Sequence, residues 1–370
     1  MKIIHLVLGK ANPKRMNGVN KVVHQLANAQ AALGQNVQVW GIANNLIPTY
    51  PKRNFETCLF QQYKNKTLCS QLKAAIKTLS NTHIVHIHGA FILEFYQVAR
   101  LLVQQGVAYV FTPHGSYSEA AMEKNKWVKK IYFQLLEKQL IKKAKIVQLL
   151  GTNEWIHLQK MMVVKQAQLI PNGMDFQQIP TNLSPQKSEK LTFGFCGRLA
   201  IYHKGLDLML QGFQQFIQEG GQATLALIGD GKDRPILEKM TTDWGIDDQV
   251  VFHGSLFGAK KFHTLHTFDV FLHTSRMEGF PMAVLEAAAL SKPCLTSEAT
   301  NINRYIEQYQ AGVALTQNTP RGIAKAMHRF AADYAQNRLK KQGQNAHRMV
   351  TTAFNWTTIA QQLQIAYTTQ

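Results

Sequence analysis

The feature that most constrains this chain is an alternation of short apolar runs with longer amphipathic ones, carried through once, interrupted, and carried through again. Lys2–Leu8, Val37–Gly41, His83–His88, Val107–Thr112 and Ile146–Leu150 read as strands. Segments near Val19–Leu33, Leu68–Leu79, Phe91–Gln104, Ala121–Lys143 and Glu154–Lys160 read as helices. Apolar strands joined through helices suit a parallel sheet with right-handed crossovers. A short strand over Ala167–Ile170 closes the series, and the polar stretch Pro171–Lys190, with three prolines, is expected to link two domains. The alternation then restarts. Strands are expected at Leu191–Cys196, Thr224–Ile228, Val250–Phe252, Phe268–Leu272 and Cys294–Thr296. Helices are expected over Lys204–Gln218, Asp233–Thr242 and Pro281–Leu290, with a helical tail from Pro320. The 370 residues give room for two such α/β units.

Lys and Arg number 41 against 22 Asp and Glu, a net charge of +19. That excess attracts polyanions, and by itself leaves nucleic acid, an anionic membrane surface and nucleotide or pyrophosphate groups in competition. No helix-turn-helix, RNP-like or finger pattern accompanies the charge, so nucleic acid is not expected as a partner. Cys58, Cys69, Cys196 and Cys294 have no metal-binding spacing and suit a reducing cytosol. The N-terminal apolar run is too short for a signal peptide, and no apolar run approaches the ~18 residues of a membrane span. A cytoplasmic protein is expected, with any membrane contact peripheral to the inner face. The densest basic stretch, Lys124–Lys145, holds eight lysines with Glu137 as its one acid. Val128, Ile131, Tyr132, Leu135, Leu136 and Leu140 form a helical stripe there, expected to face the core while the lysines remain available to anionic lipid.

Chemistry concentrates in Ser275–Glu286. The strand Phe268–Leu272 precedes it, and Pro281 suits the first position of the helix that follows. Glu278 therefore lies on the loop leaving a strand, and Glu286 at least a turn inside the next helix. Ligands of open parallel sheets bind at the carboxyl ends of strands, where helix N-termini favour anions. Upstream, the strand ending at Gly197 is followed by Arg198 on a loop and Lys204 at the next helix. Two cations so placed can neutralise a departing pyrophosphate, Arg through a planar fork and Lys as a mobile point charge. His114, in Phe111-Thr-Pro-His-Gly-Ser116, follows another strand. The residues alone leave open whether it satisfies loop carbonyls or faces a ligand. His86 and His88 share one strand face, without further metal ligands evident.

The acids Glu278 and Glu286 with seven residues between them, together with Gly197-Arg198, a short spacer and Lys204-Gly205, resemble the donor-binding signature of the group 1, or family 4, retaining glycosyltransferases. The resemblance implies the GT-B fold: two facing Rossmann-like domains with a cleft between them and a C-terminal helix, Trp356–Tyr367, crossing back to the first. It implies an acceptor-binding domain over 1–172 with 355–370 and a nucleotide-sugar-binding domain over 173–354. A hexosyl group would pass from a nucleotide-diphosphate sugar, UDP favoured over GDP, to a glycan or lipid-linked glycan of envelope or extracellular polysaccharide assembly, without a metal.

Arg198 and Lys204 would hold the diphosphate, Glu286 the ribose hydroxyls, Glu278 the sugar hydroxyls, and His114 the transferring sugar. Gly18, Gly229, His253, Gly279, Phe280, Pro281, Met282, Ala283 and Val284 would complete the donor contacts. His88 and Ser116 would lie toward the acceptor. Pro171-Asn-Gly173 matches a family segment at the domain junction and reads as a hinge turn. Asn17 stands where many members have a first glycine, which leaves donor contact there open. A nucleotide-sugar isomerase or hydrolase of the 2-epimerase type uses the same frame and is the alternative.

Overall fold

The computed structural model describes residues 1–13, 18–123, 125–176, 179–180, 183, 190–278 and 280–369. The chain divides into two compact units: Met1–Gly173 with Phe354–Gln370, and Met174–Ala353. Each is a parallel sheet flanked by helices. The sheet of the first unit is built from β1 (Lys2–Leu8), β2 (Asn36–Ala43), β3 (Glu56–Gln61), β4 (His83–His88), β5 (Ala108–Thr112), β6 (Ile146–Leu149) and β7 (Ala167–Leu169), in the order β3-β2-β1-β4-β5-β6-β7. The second comprises β8 (Leu191–Cys196), β9 (Ala223–Ile228), β10 (Val250–Gly254), β11 (Val270–His273), β12 (Cys294–Thr296) and β13 (Gly312–Ala314), in the order β10-β9-β8-β11-β12-β13. Every strand pair is parallel.

Both sheets are wound in two directions from a central strand, so each has one place where the order reverses: between β1 and β4, and between β8 and β11. Loops at the carboxyl ends of strands diverge at such a place and leave room for a ligand. Strand burial explains the apolar runs. Ile4, Leu6, Val85, Ile87, Phe111 and Val147 are buried on one face of the first sheet, and Ile3, Val7, Ile84 and Val110 on the other.

The C-terminal helix Trp356–Thr368 belongs to the first unit. Its Ile359, Ala360, Leu363 and Tyr367 pack with Val23, Leu26 and Ala27 of the helix Gly18–Ala32. Trp356 lies against Gly173, where a Cβ would come within 2.5 Å of the indole. The sequence therefore places the chain's last helix correctly. It does not reveal β3 and β13, edge strands from stretches where no element is expected.

Two further local expectations are corrected. Lys204 closes a short helix, Ile201–Lys204, and Leu206 begins the next, because Gly205 intervenes in the left-handed conformation (φ 61°). A Cβ at Gly205 would meet the Thr274 carbonyl oxygen at 2.1 Å, so the chain must turn there without a side chain. The stripe Val128–Leu140 faces the core only toward its end: Val128, Ile131 and Leu135 are 69%, 60% and 66% exposed. Leu140 is buried as expected, but its buried companions are Phe133, Glu137 and Ile141, from a π-helical turn Phe133–Glu137 and the helix Lys138–Lys143. Glu137 can occupy that face because the Phe91 N–H and the Tyr117 hydroxyl both donate to its carboxylate. Lys124, the first of the eight lysines, lies outside the described residues. No described helix is long and apolar enough to cross a membrane.

Candidate functional site

In the second unit, β8 and β11 are neighbours, and the loops leaving them are tied by backbone bonds. The amides of Arg276 and Met277 both donate to the His203 carbonyl, at 3.0 and 3.2 Å. This tie brings Lys204 to Glu278, with Nζ 2.5 Å from Oε2. The same oxygen accepts from His273 Nε2 at 2.7 Å and from Ser275 Oγ at 3.3 Å. Burial pushes the Glu278 carboxyl up, but the His273 bond and the Lys204 charge outweigh it and bring it down to about 2. Burial lowers His273, and Glu278 works against that shift. His273 Nε2 thus donates to a carboxylate that stays charged.

Glu286, in the helix Met282–Ala289, receives Lys261 at 2.7 Å, and both are mostly covered (17% and 20% exposed). Arg276 grips Asp207 through two 2.7 Å bonds and fixes the loop from the far side. Arg198 is exposed and makes no ion pair with a described residue. Its loop is nevertheless held: Gly197 N–H donates to Ile228, Leu199 N–H to Asp230, and Gly229 N–H to Gly254. Gly229 (φ 139°) lies so close to Gly197 that a Cβ would sit 1.8 Å from its carbonyl oxygen. His253 is exposed on β10.

The sequence thus brings Arg198, Lys204, Glu278, Glu286 and Gly229 to one sheet edge, but it misses His273 and Lys261, the immediate partners of the two acids. Gly279 lies outside the described residues. Pro281 precedes the helix instead of opening it. Val284 is fully buried, and its N–H donates to Pro281 at 3.0 Å, so it anchors the helix start and offers a ligand no side chain. The Met282 N–H likewise serves the Phe280 carbonyl. Ala283 and Phe280 are partly exposed beside them.

In the first unit, His114 is partly buried in the left-handed conformation (φ 55°), a cost on the order of 1 kcal/mol that its surroundings must hold in place. The loop is braced by Glu154, which accepts from the Tyr117 and Leu150 N–H groups, and by His157, bonded to the Tyr117 carbonyl. Ser116 sits in the same loop, its N–H donating to Pro113. Gly18 is exposed at the start of its helix, and Asn17 lies outside the described residues.

His88 is corrected from an acceptor-facing residue to a buried one, 2% exposed, with Nδ1 3.1 Å from His114 Nε2 and Nε2 2.9 Å from His5 Nδ1. His5 is not singled out by the sequence. It joins the pair because β1 and β4 register His5 opposite His86. His5, His86 and His88 lie close enough together to hold a cation. All six of their ring nitrogens are already engaged in hydrogen bonds, so a cation would have to replace those bonds. A cavity of about 400 Å³ opens at the carboxyl ends of β1 and β2, lined by Gly9, Lys10, Asn44, Asn45, Thr49 and Gln62 among others.

The chain is similar to known proteins along most of its length. Residues 16–178 match the model described as Glycosyltransferase Family 4, and residues 181–349 the model described as Glycosyl transferases group 1. A human phosphatidylinositol N-acetylglucosaminyltransferase protein is 23% identical over 297 residues, 77% of this chain and 57% of that protein. The chain spans 45% to 65% of the length of the first curated relatives it matches. Among solved structures, a glycosyltransferase from Rickettsia africae superposes with a TM-score of 0.74 at 15% identity, over 99% of this chain and 97% of that one. Anabaena Alr3699/HepE, solved in complex with UDP, gives 0.71 at 16% identity, over 98% of each. The chain belongs to the group 1, family 4 glycosyltransferases and has their GT-B fold.

Proposed function

We propose that the protein transfers a hexosyl group from a UDP-sugar to a glycan or lipid-linked glycan acceptor, with retention at the anomeric carbon. The observation that carries this reading is the pair of clusters at the carboxyl edge of β8 and β11, Lys204–Glu278–His273 and Lys261–Glu286, with Arg198 free of any described ionic partner beside them. Arg198 and Lys204 neutralise the diphosphate as it leaves, which is the charge that develops in the transition state. Glu286, held by Lys261, takes the ribose hydroxyls. Glu278, kept ionised, takes hydroxyls of the sugar. His253 approaches the base. UDP is preferred as the nucleotide because a similarly folded protein was solved with it.

In the transfer, the bond from the anomeric carbon to the phosphate oxygen breaks and a bond to the acceptor oxygen forms. The acceptor's proton passes to the departing phosphate oxygen, on the same face, so no protein nucleophile is needed. The N-terminal unit holds the acceptor, with the cavity at β1 and β2 as its site and His114 contacting a sugar hydroxyl. The test is UDP release from a panel of UDP-hexoses with and without glycan acceptors. Release and glycoside formation that require the acceptor support transfer. Equal turnover of the nucleotide sugar alone would make the protein an isomerase or hydrolase.

We further infer that the segment around Lys126–Lys143 rests on anionic lipid. Trp127 is 75% exposed, and with Val128, Ile131 and Leu135 it offers an uncovered apolar strip. Exposed Lys126, Lys130, Lys142 and Lys143 accompany it. An apolar strip with lysines around it suits the boundary between acyl chains and acidic headgroups, and not a protein core.

A further inference from the structure

We propose that Gln30, His5 and His88 form a one-way hydrogen-bond relay that holds His114 as its Nε2–H tautomer, leaving Nδ1 bare as the acceptor for a substrate hydroxyl. This rests on the reading above that His114 meets a sugar.

The direction of the relay follows from a fixed backbone acceptor. Gln148 Nε2 donates to the Ile170 carbonyl at 2.9 Å, so the Gln148 amide oxygen must be the atom that receives the Thr112 hydroxyl, at 2.8 Å. Thr112 has then spent its one proton, and at 2.6 Å its oxygen accepts from His86 Nε2–H. His86 is fully buried and held neutral, so its Nδ1 is bare and accepts from the Tyr367 hydroxyl at 2.7 Å. Tyr367 in turn has no proton left to give. Gln30 opposes the rise that burial imposes on this phenol, as an amide N–H beside its oxygen does, and the buried Gln30 nitrogen makes no hydrogen bond of its own elsewhere among the described residues. The nitrogen of the Gln30 amide therefore faces Tyr367, and its oxygen faces His5.

From there the second half of the relay runs outward. Gln30 Oε1 lies 2.6 Å from His5 Nε2, which must be the protonated nitrogen. Burial keeps His5 neutral, so its Nδ1 is bare and accepts from His88 Nε2–H at 2.9 Å. His88 is neutral for the same reason, and its bare Nδ1 accepts from His114 Nε2–H at 3.1 Å. His114 Nδ1 has no hydrogen-bond partner among the described residues and is not a buried, unpartnered atom, so solvent or a ligand reaches it. A reversed relay would turn the same atom into an N–H donor, a different chemical offer to a sugar.

Six elements contribute one side chain or more: the helix Gly18–Ala32 (Gln30), β1 (His5), β4 (His86 and His88), β5 (Thr112), β6 (Gln148) and the C-terminal helix (Tyr367). Tyr367 gives that last helix a polar role besides packing. His5, His88, Gln30 and Tyr367 act through His114 and are positioning residues.

The test is histidine-selective nitrogen-15 spectroscopy of the full chain, which separates a protonated from a bare ring nitrogen, with the His114 signals assigned by their loss in His114→Gln. The expected wild-type result is Nε2–H with bare Nδ1. Tyr367→Phe and Gln30→Met, both distant from His114, should give a mixture of His114 tautomers, with kcat lowered about tenfold and the affinity for UDP unchanged. Tyr367→Phe removes one oxygen and keeps the ring, which protects the fold. Wild-type His114 found as Nδ1–H would overturn the proposal, as would an unchanged tautomer in both variants. His114→Ala separates this from the reading it rests on. Full activity there removes the sugar contact, while the spectrum still decides the relay.

Discussion

At position 198 a guanidinium stands exposed at the end of β8, without an ionic partner among the described residues, while nearby Lys204 and Lys261 are each committed to a carboxylate. Arg198→Ala should therefore leave the melting temperature unchanged and reduce the transfer rate by about 100- to 1,000-fold, as loss of one preorganised charge at a leaving group does. Glu278→Gln should behave differently. Lys204, 18% exposed, would lose its counter-ion, and His273 would face a neutral amide oxygen in place of a carboxylate. Urea denaturation should report a loss of about 1–3 kcal/mol as well as a fall in activity. The residues whose placement is most legible in the sequence are those set by spacing along a single strand-loop-helix unit, Arg198 with Lys204 after β8 and Glu278 with Glu286 after β11. Their partners are not legible for a physical reason. Lys261 reaches Glu286 from another helix, and His5 reaches His88 only through the pairing of β1 with β4, which no local pattern specifies.

The basic helix shows how an element can mislead. The stripe expected to face the core mixes two faces: Val128, Ile131 and Leu135 are exposed, while Leu140 lies with Phe133, Glu137 and Ile141 on the buried one. Glu137 is buried with its hydrogen bonds satisfied, and burial lifts its carboxyl to about 7, so the face with the acid is the inner one. The outer apolar face is then the one proposed above to meet a lipid surface. Sedimentation with vesicles tests this directly. Binding is expected to vesicles rich in acidic phospholipid and not to neutral ones, and Ile131→Ser with Leu135→Ser should abolish it. Because both side chains are exposed, that double variant should keep its stability within about 0.5 kcal/mol per site. Undiminished binding by the variant would contradict a role for the strip.

Across the whole molecule, repeated β-α-β alternation makes two parallel sheets legible, but not their strand order or their thin edges at β3 and β13. The order matters most, since it sets the reversals at β1/β4 and β8/β11 beside which the histidine relay and the acid-base clusters lie. The buried titratable groups also give the chain a pH signature. Burial lowers His5 and His114 to about 4 and drives His86 and His88 well down. As pH falls below 6.5 the unfolded chain takes up protons that the native histidines refuse, so their stabilisation is lost on acidification. Burial raises Glu137 and Glu154 to about 7, which works in the opposite sense, its stabilisation being lost as pH rises from 4.5 through 7. Four histidines outweigh two carboxylates between pH 4.5 and 6.5. Thermal melts should therefore show stability rising with pH across that window, and a fall across it would refute the assignment. The most direct test of the fixed positive charge at the donor site is calorimetric titration of UDP into the wild-type protein and Arg198→Ala. Binding by the wild type, weakened at least tenfold in the variant, is the expected result. Equal affinity in both, or no binding of UDP by either, would contradict it.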